Sequence, residues 1–402
     1  MTASAAPATD LPTDLPTAIP GVDLDALDAL IARQLAPRVN RIDQDGEYPE
    51  DFLRELGRLG GYARVAAPAW GGAWEKGGSG LAETIAIMAR VGEICLSTAF
   101  AVWCQTACVR YLQLCDNAAL QAELLPDLAA GRRLGGTGLS NTFKACCRIE
   151  RFLLSARRVE GGYEINGTLP WVSNLGPDHI FVTGCPVEGN DGDGGLVFFA
   201  VDCGQSGFKL SDGANFTALE GTRTFACQFR NVRIDDARVL AHPDRAADYL
   251  ARIQPGMILA QLGMGLGLVE DCIRLVDGTA RTHQHINRFE DDQADDLRRV
   301  LSAARGEARR LAELADTVPS GAAQAELLTD ILRLRLAGGE LSLRAAQAAM
   351  LHQGARGYLR NATAQRRLRE AYFVAIVTPS LKHLRQQLAL REGEAGTART
   401  TA

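Results

Sequence analysis

Apolar residues recur every three to four positions from residue 23 to about residue 134, which is the spacing of amphipathic helices. LDALDALIARQLAPRV shows this period, and YPEDFLRELGRLGG adds an early helical proline and a glycine after the last turn. We therefore predict an N-terminal helical domain over residues 23–134. Residues 1–22, rich in Ala, Thr, Pro and Asp, are predicted to be disordered.

The pattern changes near residue 135, where short apolar runs begin to alternate with turn-forming pairs such as GG and NG. DHIFVTGCPV, GGLVFFAVDC and TFACQFRNVRI have the length and the β-branched or aromatic content of strands. We therefore predict an all-β domain over residues 135–243.

Long amphipathic segments rich in Leu, Ala, Arg and Glu return over residues 244–390 and predict a helical bundle. Gly263, Gly265 and Gly267 lie inside this helical pattern and follow no strand. We interpret them as sites of close helix packing rather than as a dinucleotide motif. The polar tail REGEAGTARTTA, residues 391–402, is predicted to be disordered.

The net charge and the cysteine content indicate which partners and which cellular compartment to expect. A net charge of −5 over 402 residues argues against a nucleic-acid partner, and the chain lacks the long apolar run of a membrane span. Ten cysteines are scattered through apolar segments and follow no export signal, which is typical of reduced, buried thiols. We therefore expect a cytoplasmic protein without a membrane or nucleic-acid partner.

Residues 167–174, GTLPWVSN, resemble a Gly-x-Lys-x-Trp-Ile-Thr-Asn stretch of the acyl-CoA dehydrogenase superfamily, with Leu169 in place of the lysine. The resemblance implies that Trp171, Val172 and Ser173 lie against the isoalloxazine of FAD. Upstream, TGLSN matches the family's strand end in the same way. It implies that Gly138, Leu139 and Ser140 hold the flavin pyrimidine ring.

The resemblance covers nearly the whole folded chain and implies its architecture. We expect an α+β, acyl-CoA dehydrogenase-like fold, with an N-terminal helical domain, a central β-barrel-like domain and a C-terminal four-helix bundle. This order of segments agrees with the one that the hydrophobic pattern predicts.

Two further motifs imply contacts with the rest of FAD across a subunit boundary. The stretch from Arg281 to Gln293 resembles the family's Arg-x-x-Phe-Gly…Gln motif, in which Arg281 or Arg288 with Phe289 takes the pyrophosphate position. The turn with Gly354 and Gly357 resembles one that approaches the adenine half. The resemblance therefore implies a homodimer or a homotetramer.

The chain departs from the family at the catalytic base. In residues 375–380, AIVTPS, Thr378 stands where the family carries its glutamate, and Ser380 falls on the family's threonine. Threonine is not a useful base near pH 7, and the second family position falls near Met257. His352 is our candidate for a replacement base. The family's Gly-Ser-Asp, which helps to hold CoA, falls on Ala145, Cys146 and Cys147.

Three functions remain open from the sequence. The first is a flavin-dependent oxidoreductase that moves a hydride from a substrate C–H to FAD, acting on a small molecule or on an acyl thioester of CoA or a carrier protein. The second is a flavin-dependent monooxygenase on the same fold, which would use FAD or FMN and a separate flavin reductase. The third is a non-catalytic flavin-binding or repurposed scaffold.

Overall fold

The structure is a computed structural model that describes residues 23–400 apart from 76–77, 79, 190–194, 213–214, 316 and 319–321. The side chains of residues 212, 280–281 and 394–400 also lie outside the description. The N-terminal segment 1–22, predicted to be disordered, lies outside the described residues.

The first part of the chain is helical, as its periodicity predicts. Asp23 begins the first helix by accepting a hydrogen bond from the Ala26 N–H at 3.0 Å. Two helices of this part follow each other closely, and the second of these, Leu96–Gln113, is buried along nearly its whole length. The helices of this part are α1 Leu24–Leu30, α2 Val39–Gln44, α3 Glu50–Arg58, α4 Gly80–Gly92, α5 Leu96–Gln113 and α6 Ala118–Ala129.

In the described residues, the central part forms two four-stranded sheets, ordered β1-β4-β5-β8 and β2-β3-β7-β6. Aromatic and β-branched side chains of the two sheets pack face to face and form a separate core. The strands are β1 Gly135–Thr137, β2 Leu154–Val159, β3 Gly162–Val172, β4 Ile180–Pro186, β5 Leu196–Asp202, β6 Phe208–Asp212, β7 Phe225–Asp235 and β8 Val239–Ala241.

One helix corrects the all-β prediction for this domain. Helix α7, Leu139–Cys146, follows β1 directly. Its apolar residues Leu139 and Phe143 are four apart and both are buried, so they face the same side of the helix. The Thr142 hydroxyl donates to the Gly184 carbonyl in β4 at 2.5 Å and thereby fixes α7 to the sheet.

A bulge at the end of β3 changes the direction of one side chain. The pairing of β3 with β7 shifts register between Leu169 and Val172, so Pro170 and Trp171 lie outside the regular ladder. Leu169 and Val172 are 3% and 1% exposed, whereas Trp171 is 57% exposed. The bulge therefore turns an aromatic ring outward between two core residues.

The last part of the chain is helical and shares one hydrophobic core with the N-terminal helices. Helices α4 and α11 both pack against α9, which makes α9 central to the bundle. The helices are α8 Ala246–Ala260, α9 Leu262–Asn287, α10 Ala294–Leu314, α11 Ala322–Gln353, α12 Thr363–Ile376 and α13 Leu381–Thr400. The expected bundle is therefore present and is extended by flanking helices.

The segment Ala246–Thr279 is long and apolar enough to cross a membrane, but 89% of its most apolar window is buried inside the protein, as a core helix would be.

Helix α13 continues to Thr400, so the disorder predicted for residues 391–402 is corrected as far as that residue. Arg, Glu and Ala in this segment favour helix over coil.

Candidate active site

The β domain and the helical bundle are joined by a contact between two hydroxyl groups. Ser140, at the start of α7, lies with its Oγ 2.8 Å from Oγ1 of Thr378, in the link between α12 and α13. Both side chains are partly exposed, so they are accessible from this junction. The structure thus brings together two residues that the sequence separates by more than half the chain.

The ends of β1 and β3 meet beside this contact. Thr137, the last residue of β1, forms an isolated antiparallel bridge with Ser173, the residue after β3. The backbone N–H of Gly138 donates to Val182 in β4 at 2.8 Å, which fixes the turn into α7. The two sequence motifs therefore lie next to each other in space, as the resemblance implies.

A chain of hydroxyl groups extends from Ser173. The Thr222 hydroxyl donates to the Leu219 carbonyl at 2.7 Å, so Thr224, 2.8 Å away, must donate to Thr222. Ser173 lies 2.6 Å from Thr224 and must donate in turn. The Ser173 oxygen consequently presents lone pairs to its surroundings in this arrangement. Sequence analysis did not identify Thr222 and Thr224, although both lie in the segment LEGTRT.

The predicted flavin-contacting residues differ in how accessible they are. Trp171 is 57% exposed and meets Phe216 edge-on, with ring centroids 6.4 Å apart. Leu139 and Val172 are each 1% exposed and pack into the two cores. Their side chains are therefore unavailable to a ligand, and only their backbone groups remain as candidates for contact.

Neither family position for the base carries an acid here. The Thr378 carbonyl accepts a hydrogen bond from the Gln261 amide at 2.8 Å, and the only other bond described for Thr378 goes to Ser140. Met257 is 4% exposed on α8, where its carbonyl accepts a bond from Trp103 Nε1 at 3.3 Å. Neither side chain can therefore act as a general base near pH 7.

A buried arginine stabilises the segment that contains Thr378 through hydrogen bonds. Arg335, 1% exposed on α11, donates to Gln261 Oε1 at 3.2 Å and to the Val374 carbonyl at 2.7 Å. Burial lowers the pKa of its guanidinium to about 10. Arg335 therefore fixes both α12 and the amide that holds Thr378.

The candidate base His352 is placed elsewhere, and this corrects the sequence-based hypothesis. His352 is 4% exposed, and its Nε2 lies 2.8 Å from the Asp292 carbonyl. It follows Arg335 on the same helix, so the two residues are separated by about 25 Å along the helix axis. Within one chain, His352 is therefore remote from Thr378 and cannot take a proton there.

The predicted pyrophosphate motif lies at the end of α9. The side chain of Arg281 is outside the described part of the chain. Phe289 is 74% exposed beneath the Arg288 guanidinium, 4.8 Å from its ring centroid. Both amide hydrogens of Gln293 are bound within the loop, to the Asn287 and Glu290 carbonyls at 2.9 and 2.8 Å. Gln293 therefore stabilises the loop and start of α10 and has no free donor.

The other residues predicted to contact FAD are Gly354, Gly357 and Ser380, which lie at helix ends. Gly354 has φ of +57° and open space where a Cβ would be, so its conformation rather than crowding favours glycine. At Gly357 a Cβ would meet Gln353 at 2.8 Å, which indicates helix packing. The Ser380 hydroxyl accepts the His383 N–H at 3.4 Å, and Ser380 thereby caps α13.

A polar group that sequence analysis missed lies between α7 and α13. Gln387 Nε2 donates to the Cys147 Sγ at 3.2 Å and lies 2.5 Å from Nε2 of His383, which is 4% exposed. Burial, and after it the charge of Lys144, lowers the pKa of His383 to about 4. The spacing of four between His383 and Gln387 in TPSLKHLRQQ was the available signal.

Burial raises the thiol pKa of both cysteines that replace the family's Gly-Ser-Asp. Cys146 is exposed and Cys147 is half-buried. All ten cysteines lie in described residues as free thiols, and most of them are buried, as expected. The pair is therefore protonated and weakly nucleophilic at neutral pH.

The exposed groups at this junction fit a flavin. An outward-facing indole offers a flat apolar contact, and the hydroxyls of Ser140 and Ser173 offer hydrogen bonds to a polar ring edge. A separate cavity of about 510 Å³, lined by Asp28, Arg90, Glu93, Glu270 and Arg274 among others, lies among the helices and shares none of these groups.

Comparisons with known proteins agree with this geometry. The profile of the acyl-CoA dehydrogenase N-terminal domain family matches residues 24–132. A mitochondrial isovaleryl-CoA dehydrogenase of Pongo abelii is 24% identical over 60% of this chain, a match that spans only 57% of that relative. The corresponding enzyme of Arabidopsis thaliana is 22% identical over 84% of this chain and 82% of its own length.

Solved structures of acyl-CoA dehydrogenases are similar to this chain in fold. The butyryl-CoA dehydrogenase structure from Megasphaera elsdenii superposes with a TM-score of 0.80 over 91% of this chain and 96% of that chain, at 17% identity. The family profile, the curated relatives and the arrangement of helical, β and helical parts agree. Residues 24–132 match the acyl-CoA dehydrogenase N-terminal domain family, and the chain as a whole has the fold of acyl-CoA dehydrogenases.

Proposed function

We propose that this protein is a flavin-dependent oxidoreductase of the acyl-CoA dehydrogenase type that moves a hydride from a substrate C–H to FAD. The observation that carries the proposal is the meeting of Ser140, Thr378, Trp171 and Ser173 at one domain junction. These side chains come from three separate segments, and a flat cofactor with a polar edge accounts for their arrangement.

Each residue has a distinct task in this proposal. The exposed ring of Trp171 supports the cofactor's flat surface. The Ser140 hydroxyl and the lone pairs of Ser173 bind polar atoms at its edge. FAD, when bound, supplies the hydride acceptor. FMN remains the alternative cofactor.

The proton that is released with the hydride passes to solvent water at the partly exposed junction, because no side-chain base occupies either family position. Thr378 and Met257 do not ionise usefully near pH 7, and His352 is about 25 Å away along α11. The proposal therefore assigns to Thr378 the role of closing the junction through Ser140 rather than that of a base.

The substrate is proposed to be a small acyl thioester, carried by CoA or by a carrier protein. The curated relatives above have dehydrogenase names, so neither the monooxygenase nor the non-catalytic scaffold gains support from them. A homodimer or a homotetramer belongs to the same proposal, because the Gly354 turn follows the end of α11, about 25 Å along that helix from the Arg335 that holds the Thr378 segment.

Flavin binding tests where the cofactor lies. We expect Trp171→Ala to weaken FAD binding by tenfold or more, which corresponds to about 1.4 kcal/mol, because the variant loses the flat apolar contact. The readout is flavin content after dialysis, with the melting temperature measured in parallel. Leu390→Ala is the matched control, since Leu390 is 59% exposed and lies on the outer part of α13. Equal flavin content in all three proteins would contradict the placement.

A further inference from the structure

Asn174, the residue after Ser173, is completely buried and is hydrogen-bonded through its backbone and its side chain. Its φ of +62° lies in the left-handed region, which asparagine tolerates better than most residues, and this ends the extended backbone of β3. Its N–H donates to the Thr222 carbonyl at 2.8 Å, and its carbonyl accepts a bond from His179 Nδ1 at 2.9 Å. The backbone that follows Ser173 is therefore fixed on both sides.

The Asn174 side chain connects the two strands whose ends carry the predicted flavin contacts. Its Nδ2 donates at 2.7 Å to the carbonyl of Gly135, the first residue of β1. At the other end of β1, Thr137 forms the bridge to Ser173. The amide of Asn174 therefore fixes β1 relative to the end of β3.

Hydrogen-bond counting shows that Tyr48 sets the orientation of this amide. A carbonyl can only accept, so the Asn174 atom that faces Gly135 must be the nitrogen, and the other atom must be the oxygen. The Tyr48 hydroxyl lies 2.6 Å from that oxygen and must donate to it. Burial raises the pKa of Tyr48 above its ordinary value, so the hydroxyl keeps its proton at neutral pH.

Tyr48 also contacts the segment that contains the hydroxyl chain. The Arg223 guanidinium lies over the Tyr48 ring, 4.2 Å from its centroid. Arg223 is between Thr222 and Thr224 in sequence. The hydroxyls of these two threonines lead to Ser173. Tyr48 therefore contacts both groups of residues that hold Ser173 in place.

We propose that Tyr48 is a positioning residue for the flavin, whose hydroxyl acts through Asn174 to hold Ser173 and the end of β1 against the cofactor's polar edge. This inference rests on the proposed function, because it concerns how the same junction binds its flavin. Tyr48 lies between α2 and α3 and outside the predicted flavin motifs. The N-terminal helical part thus contributes to flavin binding through a hydrogen bond to the β domain.

Tyr48→Phe tests the role of the hydroxyl alone, because the variant keeps the ring beneath Arg223. The Asn174 oxygen loses its donor, and the amide is then free to turn away from Gly135. We expect the dissociation constant for FAD to rise at least about fivefold. We also expect the visible circular dichroism of bound FAD to change, since this signal depends on how the ring is held.

Tyr62→Phe is the matched control. Tyr62 is completely buried in the same part of the chain, and its hydroxyl donates to the Leu53 carbonyl at 2.9 Å. The control therefore loses a buried hydrogen bond of the same kind, but not one to Asn174. We expect a lower melting temperature for both variants, whereas the FAD dissociation constant of Tyr62→Phe should stay within about twofold of the wild-type value.

The possible outcomes separate this inference from the proposed function. Equal FAD affinity and equal circular dichroism in the wild type and Tyr48→Phe would overturn the inference. Equal weakening in Tyr48→Phe and Tyr62→Phe would also overturn it, because the loss would then reflect general destabilisation. A wild type that takes up no flavin would overturn the proposed oxidoreductase function itself, and the inference with it.

Discussion

His383 is an imidazole that its surroundings keep neutral. Burial and the nearby Lys144 charge lower its pKa from 6.5 to about 4. The unfolded chain therefore binds a proton between these values that the folded chain does not. The corresponding stability is present above pH 6.5 and is lost as the pH falls toward 4.

We expect His383 to lower the free energy of unfolding of the protein in acid. Between pH 7 and pH 4, the free energy of unfolding of the wild type should fall by about 1–3 kcal/mol more than that of His383→Asn. Urea unfolding at several pH values measures the difference. Parallel losses in the two proteins would contradict the shifted pKa.

Residues that belong to short sequence motifs could be predicted from the sequence. Trp171, Ser140 and Ser173 follow from two short motifs, and the structure brings their segments together. His383 and the Thr222–Thr224 hydroxyls belong to no such motif, since their contacts depend on tertiary packing. His352 was a wrong candidate for the base because it lies at the far end of α11 from Arg335, which stabilises the Thr378 segment.

Helix α9 approaches α4 closely enough to exclude side chains. A Cβ on Gly267 would lie 2.1 Å from the Ala89 carbonyl oxygen, whereas one on Gly278 of the same helix would meet nothing within 4 Å. The glycine series that begins at Gly263 therefore serves helix packing, as predicted, and forms no nucleotide-binding loop.

The two glycines give a matched pair of substitutions. Gly267→Ala should destabilise the protein by about 1–3 kcal/mol, because backbone must move to accommodate the methyl group. Gly278→Ala should stabilise it by up to about 1 kcal/mol, because alanine has the higher helix propensity. Chemical unfolding of both variants measures the difference. Destabilisation of similar size in both would mean that α9 does not lie against α4 at Gly267.

Elements were predictable where their pattern is long. Helices such as α5 and α11, and strands such as β5, repeat their apolar period often enough to be recognised. Helix α7 has only eight residues, so its period is ambiguous within a strand-rich segment. The tail of α13 was missed because its polar composition suggests coil although its residues favour helix.

Exposed apolar side chains gather at one end of the bundle. The Asn287 amide donates to the His352 carbonyl at 3.1 Å, so the ends of α9 and α11 are adjacent. At least half of each large side chain here is exposed, namely those of Ile286, Phe289, Leu351, Tyr358 and Leu359. Such a grouping is typical of a surface that is covered by another subunit.

A double substitution tests the assembly proposed for the whole molecule. Leu351→Glu with Leu359→Glu should convert the wild-type dimer or tetramer to monomer and lower its flavin content, because charges disfavour an apolar interface. Sedimentation velocity gives the mass, and absorbance gives the flavin. Leu390→Glu, at an exposed position on α13, should change neither. A monomeric wild type with full flavin would contradict the shared site.

The central claim is hydride transfer to a bound flavin without a carboxylate at residue 378. Its most direct test is anaerobic addition of short acyl thioesters, of CoA and of pantetheine, to the FAD-loaded protein, with the flavin absorbance followed. We expect bleaching by at least one thioester. No bleaching by any of them, together with a long-lived oxygen adduct after chemical reduction, would contradict it and indicate a monooxygenase.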